Sequence, residues 1–463
     1  MSTFSGLNTT SKALAAAQRA MEVTGQNIAN ANTTGYTRQR VELTSAAITE
    51  TGRNARRDVP GSGVDVVGID RVTDAFVDAT RRQDVALSAE AGTASTIWTT
   101  VEGSLGEPGS GSLTSRLTDM YNSWGDLSNA QGSDAVTAAR ATVIARSQAV
   151  ADTLSTVDGQ LQGQWFGLKD QIGALAVEVN ETAARIAELN TSIVSAKVQG
   201  SSANELMDKR DQFVSRLAEL TGAHVVQRDL GTVDVYIGNA TLVSGAIAET
   251  FSVTGAGVTF QQVKGGTGEQ VGVQIGKTTV APASGKLKAL LEGVNSTLPG
   301  VARRLDEVAT TIADQVNANY AGGTTPFFSA TPADPSSRGP ASSLKVLVTG
   351  TSDAEFQDSS AGSVDRASAK AIARLPETDG SPSKVWRGSV TAIATASQAA
   401  ENRAAMAADV ALKSDAARES VSGVSIDEEM TNLVAFQHAY AAAARVFTAI
   451  DEALDILINR TGA

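Results

Sequence analysis

Few residues in this sequence have the type and spacing to carry chemistry. Gly272-Val273-Gln274-Ile275-Gly276-Lys277-Thr278 ends like a phosphate-binding loop, in which backbone N–H groups and a lysine cradle phosphate oxygens. That motif needs a glycine five residues before the Gly-Lys pair, and Val271 stands there. The run also alternates with period two, so an exposed lysine on a β-hairpin is the simpler reading. Asp427, Glu428 and Glu429 form the densest acid cluster. Paired carboxylates do acid–base work only when held across a cleft with separated pKa values. Three consecutive acids opening a helix instead complement the positive end of its dipole. His438 lies in a helical seam and reads as a solvated side chain. His224, Asp229 and Asp234 flank a short strand pair, the one place where a secreted enzyme would put its site. A cleft there would support that alternative, and a flat solvated β surface would sink it. With no cysteine and only two histidines, disulfides, thiolate metal sites and cysteine nucleophiles are excluded and a His-rich metal centre is disfavoured. The expectation is a chain with no catalytic, cofactor-binding or metal residues.

The elements that hold these residues follow from composition and period. A chain of 463 residues exceeds one compact core and predicts two or three domains. A net charge of −12 gives no electrostatic footprint for nucleic acid or anionic lipid. Only 4% of residues are aromatic while alanine is abundant, which favours extended bundles and coiled coils. No uninterrupted run of 18 apolar residues exists, so no membrane span is expected. Residues 1–10 lack a basic stretch and an apolar stretch, so they do not read as a cleaved secretory signal.

The ends of the chain carry heptads. Leu7, Leu14, Met21 and Ile28 are seven apart, with Phe4 three before Leu7. This helix stops at Asn30-Ala31-Asn32-Thr33-Thr34-Gly35-Tyr36, where Asn and Thr compete with helix backbone bonding and Gly35 can take positive φ. At the other end, Ser425-Ile426-Asp427-Glu428 has capping-box spacing. Ile426, Leu433, Tyr440, Phe447 and Leu454 then repeat every seven, followed three later by Phe436, Ala443, Ile450 and Leu457. A helix over 426–458 would be roughly 50 Å long. Residues 1–48 carry +2 and residues 424–463 carry −4, so the two seams attract. Terminal seams have few neighbours in their own chain, so they predict ends that gain order by packing on other copies.

Between the ends, heptad rows run over 133–198: Leu154, Leu161, Leu168 and Leu175, then Trp165, Ile172, Val179, Ile186 and Ile193. Gly159, Gly163, Gly167 and Gly173 predict a break. A helix over 204–220 follows. Period two at 232–237, 251–260 and 271–280, with a Gly238-Asn239 turn, predicts a small antiparallel β unit. Helical spacing returns at 287–294 and 301–316, a proline-rich loop covers 326–340, a short strand lies near 344–348, and alanine-rich helix fills 385–420. The predicted fold is mainly α with a small antiparallel β insert: an elongated multi-domain rod whose N- and C-terminal helices pair as a coiled coil. The terminal unit comprises 1–50 and 424–463, the long-helix bundle 51–222 and 284–423, and the β unit 223–283, with 322–362 as a possible addition.

The terminal motifs carry a resemblance. Ala29-Asn30-Ala31-Asn32-Thr33-Thr34-Gly35-Tyr36 resembles the A-N-x-x-T-x-G-Y signature of bacterial flagellar rod, hook and hook-associated axial proteins. Gly35-Tyr36-Thr37-Arg38-Gln39, Gly61-Ser62-Gly63-Val64 and Arg71-Val72-Thr73-Asp74-Ala75-Phe76 narrow it. So do Asn204-Glu205-Leu206-Met207-Asp208-Lys209-Arg210-Asp211, Ser425-Ile426-Asp427-Glu428-Glu429 and Leu457-Ile458-Asn459. Together they resemble the hook-associated protein 1 family. The resemblance implies a structural component of the bacterial flagellum at the hook–filament junction. It implies type III export, assembly outside the cell as a homo-oligomeric ring, and contacts with hook protein and with a second junction protein or filament subunits. It also implies an export chaperone on 424–463. In the family the terminal helices form the inner tube, so Leu7, Leu14, Met21 and Ile28 would pack against Leu433, Tyr440, Phe447 and Leu454 of the same or an adjacent subunit. Asn30, Thr33, Gly35 and Tyr36 would form the turn leading outward. The alternative within this class is a self-polymerising hook or rod protein. The β unit, at about 60 residues, is far smaller than in many relatives.

Overall fold

The computed structural model describes residues 3–46, 63–266, 268–323, 325–336, 338–352, 356 and 366–456; the Phe4 side chain, Gly61, Ser62, Leu457, Ile458 and Asn459 lie outside the described residues. In chain order the helices are α1 (Thr3–Asn30), α2 (Ala75–Leu105), α3 (Leu113–Asn129), α4 (Ser133–Val198), α5 (Asn204–Thr221) and α6 (Phe260–Gly265). Then come α7 (Lys286–Glu292), α8 (Leu298–Asn319), α9 (Pro340–Ser343), α10 (Arg366–Ala373), α11 (Pro382–Ser422) and α12 (Ile426–Asp455). The mainly α, elongated character expected from composition is what the chain adopts.

The 66 residues of α4 form the spine, about 100 Å long at 1.5 Å per residue. Its heptad rows are the core: Leu154, Leu161, Trp165, Ile172, Val179, Ile186 and Ile193 are fully buried, while Leu168 is half-buried. All but Ile193 pack in one core with Leu117 and Trp124 of α3, Leu217 of α5, and Leu305 and Ile312 of α8, while Ile193 clusters with Ala203 and Met207. The break expected at the four glycines does not occur. Gly159, Gly163, Gly167 and Gly173 are all exposed, and a Cβ on any of them would meet nothing within 4 Å. Each lowers propensity by about 1 kcal/mol, but every large side chain buried opposite contributes about 1.5–3 kcal/mol, so packing wins. Gly163→Ala will therefore stabilise the chain by about 0.5–1 kcal/mol, read as a raised urea midpoint at unchanged slope. A lowered midpoint would mean that this face packs against something.

Two small sheets make the β unit. β3 (His224–Gln227), β4 (Val233–Ile237), β5 (Ala240–Ser244) and β6 (Ile247–Ala248) form an antiparallel meander, and β7 (Phe251–Thr254), β8 (Gly272–Ile275) and β9 (Thr278–Val280) form the second sheet. The hairpin at Gly238-Asn239 is present, with Ile237 opposite Ala240. The strand expected over 251–260 ends at Thr254. Thr259 instead opens α6 through a capping box: its hydroxyl accepts from Gln262 N at 3.3 Å while Gln262 Oε1 accepts from Thr259 N at 2.9 Å. That local T-x-x-Q signal overrides the period-two pattern. From α6, Lys264 reaches Asp158 of α4 at 3.1 Å and Asp306 of α8 at 2.7 Å, pinning the β unit to the bundle.

Helices α2 and α11 run antiparallel as the stem that carries the chain back to its terminal helices. Arg418 donates to Asp78 at 3.1 Å, Arg81 to Asp415, and Ser414 to Asp84; further along, Ser397 donates to Glu102 at 2.8 Å and Trp386 Nε1 to Glu107 at 2.8 Å. The stem also leads into a β-ribbon that period analysis did not anticipate: β1 (Gln39–Ser45) pairs with β2 (Val64–Arg71), and its register slips between Glu42 and Leu43. That bulge, and the exposure of most of β1, erased the alternation that would have announced a strand.

Candidate assembly site

Helices α1 and α12 lie side by side and antiparallel. Gly6 sits against Ile450 near one end, where an added Cβ would be 3.1 Å from Ile450 Cδ1, and Asn27 meets Glu429 near the other. The fully buried stripe of α1 is made of small residues: Thr10, Ala16, Ala17, Ala20, Val23, Thr24 and Asn27. Small side chains let two helix backbones approach closely. Leu7, Leu14, Met21 and Ile28 occupy the adjacent row and are each half-buried. On α12, Leu433 and Phe447 are half-buried, Leu454 is buried, and Ile426 and Tyr440 are exposed. The large residues at heptad spacing announce the helix pair but not the small residues that α1 buries between α12 and the β1–β2 ribbon.

The outer face of α12 is left bare. Ile426 (48% exposed), Met430 (48%) and Val434 (47%) follow one another at four-residue spacing, and Val446 (50%) extends the bare face. One 18-residue window within 366–455 reaches a mean hydropathy of 1.2 with none of it buried in the chain, so by length and composition alone it could cross a membrane.

The turn after α1 is built as its residue types predict. Asn30 Nδ2 caps back to Gln26 O at 3.0 Å, Thr33 N donates to Asn30 O at 2.9 Å, and Tyr36 N donates to Thr33 O at 3.1 Å. Gly35 has φ 81°, and an added Cβ would stand 2.1 Å from Gln212 Nε2, which itself donates to Thr34 O at 2.9 Å. The dihedral requires glycine, and a side chain here would also push the exposed Gln212 side chain off Thr34 O. Gly35→Ala will cost about 1–3 kcal/mol by urea unfolding, and adding Gln212→Ala will recover only the steric part. Equal stability of Gly35→Ala and wild type would refute this account.

Behind the turn is a buried polar hub. Asn27, 1% exposed, uses all its bonding capacity. Its amide donates to Gln39 O at 2.9 Å and Glu429 Oε2 at 3.0 Å; its oxygen accepts from Tyr36 OH at 2.9 Å and Gln39 N at 3.0 Å. Arg38 Nε donates to Glu429 Oε1 at 2.8 Å and Arg38 Nη1 to Glu428 Oε2 at 3.0 Å. Thr37 N donates to Asp208 Oδ2 at 3.1 Å, while Arg71 bridges Asp208 at 2.9 Å and Asp211 at 2.8 Å. Asn204 Nδ2 donates to Gln39 Oε1 at 3.1 Å and Ile69 O at 2.9 Å. Burial, with Asp208, Glu205 and Glu429 nearby, pushes the Tyr36 phenol up to about 12, so it donates as a neutral group throughout the physiological range. Segments near positions 30, 71, 208 and 428 thus converge on one junction that fixes the terminal pair to α5 and to the start of the stem. Of these, Asn27 was missed: a lone helical asparagine gave no pattern.

The residues weighed for catalysis do not gather. His224 stacks on Tyr236 with ring centroids 5.4 Å apart, and Asp234 is engaged by Arg228 at 2.7 Å and Gly245 N at 2.9 Å. Asp229 lies in the turn before β4. Lys277 stands exposed in the β8–β9 turn, His438 is exposed on α12, and Ser425 caps α12 through Glu428 N at 3.5 Å.

Comparison with known proteins agrees with this geometry. Residues 98–326 match the model of the flagellar hook-associated protein FlgK helical domain, residues 7–37 that of flagella basal body rod proteins, and residues 418–460 that of the C-terminal segment of basal body rod FlgEFG proteins. The chain is 29% identical to flagellar hook-associated protein 1 of Bacillus subtilis, over 100% of this chain and 99% of that protein. It is 29% identical to the Salmonella typhimurium protein of the same name over 68% of this chain and 56% of that protein. To the Escherichia coli one it is 32% identical over 52% of this chain and 43% of that protein. A solved structure, the flagellar hook junction protein FlgK from Burkholderia pseudomallei, aligns over 54% of this chain and 44% of its own at 25% identity and TM-score 0.45.

Proposed function

This chain belongs to the flagellar hook-associated protein 1 family, and from that premise we infer that it is a non-enzymatic structural subunit joining the flagellar hook to the filament. The observation that carries the mechanism is the pairing of a bare apolar α12 face with a buried, hydrogen-bonded junction beneath it. A face of that kind is stable in water only when other protein covers it, and several Leu- or Met-sized side chains at about 1.5–3 kcal/mol each suffice to order a helix pair. The junction then makes the assembled tube and the outer bundle one mechanical body, so torque at the termini reaches α2, α5 and α11.

On this reading copies form a ring through Leu7, Leu14, Met21, Ile28, Ile426, Leu433, Tyr440, Phe447 and Leu454, with Asn30, Thr33, Gly35 and Tyr36 as the outward turn. Hook protein contacts one side and a second junction protein or filament subunits the other. Before assembly the chain travels through the flagellar type III apparatus to the cell exterior, with a chaperone shielding 424–463. The self-polymerising alternative is not favoured, because the match over 98–326 is to the hook-associated helical domain.

Electron microscopy of the purified protein mixed with isolated hooks tests this. Full-length chain will cap one hook end, and a chain lacking 424–463 will not. Long tubes of the protein alone would point to a hook or rod protein, and compact monomers that ignore hooks would overturn the assignment.

A further inference from the structure

At the foot of the stem, the turn after α1, α2, α5 and α11 enclose a cleft of about 770 Å³. Its arginines are nearly all spoken for. Arg71 bonds Asp208 and Asp211, Arg81 bonds Asp415, Arg216 bonds Glu178 and Glu219, and Arg418 bonds Asp78. Arg82 lines the same cleft, half-buried, and among the described residues it has no hydrogen bond and no carboxylate in salt-bridge range. The carboxylates nearest in field, Asp78 and Asp211, are each taken by another arginine. Arg82 is thus the one arginine of the cleft lining with no carboxylate in salt-bridge range among the described residues, although the lining as a whole, with Glu219 and Glu419 also in it, carries no excess of cations. Burial lowers its pKa by more than Asp78 and Asp211 raise it, and Arg81 and Arg210 add to the lowering. A cation kept half out of water without a partner costs stability unless an anion completes it.

We propose that Arg82 is a receptor for a carboxylate side chain of a second copy of this chain, occupied only in the assembled ring. This deepens the assembly reading and rests on it. Two observations choose the occupant. The cleft rim ends at Val424, from which the bare stripe of Ile426, Met430 and Val434 continues, so a copy covering that stripe also reaches the cleft. The terminal layer in turn offers exposed carboxylates without a partner among the described residues: Glu42, Asp70, Asp427, Asp451 and Glu452. A chain of net charge −12 has such groups to spare.

The test compares wild type, Arg82→Gln and Arg82→Lys by hook capping under the microscope, by sedimentation of the protein alone, and by thermal melting of the dilute monomer. Arg82→Gln will raise the concentration needed for capping and self-association about tenfold or more, because it removes one partner of a charge pair at an interface. Arg82→Lys will retain most of the activity, and high salt will narrow the difference. The monomer will melt at the same or a higher temperature in Arg82→Gln, since a half-buried cation without a bonded partner has been removed. A clear fall in monomer melting together with weaker capping would make Arg82 an internal brace and overturn the proposal. Unchanged capping by Arg82→Gln would overturn it while leaving the junction reading intact. If wild type neither caps hooks nor self-associates, both fall.

Discussion

Replacing Glu429 with alanine will release the terminal helix pair from the bundle, costing about 3 kcal/mol, whereas Glu428→Ala one residue away will cost less than about 1 kcal/mol. The two glutamates differ in burial and in what they leave behind. Glu429 is 2% exposed and accepts from both Arg38 Nε and Asn27 Nδ2; its loss leaves the Arg38 Nε–H and one Asn27 amide hydrogen without an acceptor, while Arg38 keeps Glu428 and Asn27 keeps Gln39 O. Glu428 accepts one bond from the outer edge of Arg38, with its side chain 63% exposed, and water replaces it. Glu429→Gln separates the contributions. It keeps an acceptor for one donor and loses the charge, so an intermediate cost of about 1–2 kcal/mol is expected. Within the chain α12 packs mainly on α1, so the loss is local. Amide exchange will accelerate across α1 and α12 while α4 and α8 keep their protection. Uniform acceleration would show that the terminal pair and bundle melt as one unit. A deficit at Glu428 as large as at Glu429 would refute the latch.

That latch marks the boundary between what period and propensity reveal and what they do not. The long helices were legible because burial recurs every seven residues over many turns: α4 buries Leu154, Leu161, Trp165, Ile172, Val179 and Ile186 in two rows that can be counted. The turn at Asn30–Tyr36 was legible because residues that compete with helix backbone bonding cluster there, and the structure supplies the reason for Gly35 in its positive φ. The bulged ribbon β1–β2 was not legible, since a slip between Glu42 and Leu43 changes which residues face inward halfway along the strand. Nor was the hub. Asn27, Tyr36 and Arg38, then Arg71, Asp208 and Glu429, come from four separate stretches of the sequence, and nothing in the local period of any one names another. The motif islands indicated that these segments matter; only the folded chain shows that they meet. The small buried residues of α1 were hidden for a different reason, because seams are sought among large residues while α1 buries mainly small ones against α12 and the β1–β2 ribbon.

Lys264 tests the same lesson in the β unit, where a pattern that read as strand turned out to open α6 and carry a buried cation inward. Its side chain is 4% exposed, between Asp158 at 2% and Asp306 at 16%, with Gly339 so close that an added Cβ would lie 2.4 Å from Nζ. Lys264→Met removes the cation bonded to buried Asp158 and half-buried Asp306 and will cost about 3–5 kcal/mol at pH 8. The sign of its pH dependence follows from Asp306. Burial raises the pKa of that carboxyl, Lys264 and the Ala341 N–H lower it, Asp158 raises it again, and the result stands above the ordinary value. A raised folded pKa contributes stability that is full below the unfolded pKa and lost as pH climbs through the folded one. Without Lys264 the folded pKa rises further, because the two aspartates then share a site with no counter-charge. The variant's deficit will therefore be small near pH 4 and grow toward pH 8, measured as the difference in urea midpoint from wild type. Asp306→Asn makes the contrasting case: it leaves Lys264 and Asp158 as a one-to-one pair and keeps an oxygen for Ala341 N, which lies 2.9 Å from Asp306. That change will cost less than about 1.5 kcal/mol and flatten the acid-side dependence. A Lys264→Met deficit that is constant with pH would mean that lost packing of the lysine stem, rather than unpaired charge, sets the cost. A deficit under about 1 kcal/mol at pH 8 would mean that water reaches the site and that the β unit is held to α4 and α8 by its apolar contacts alone.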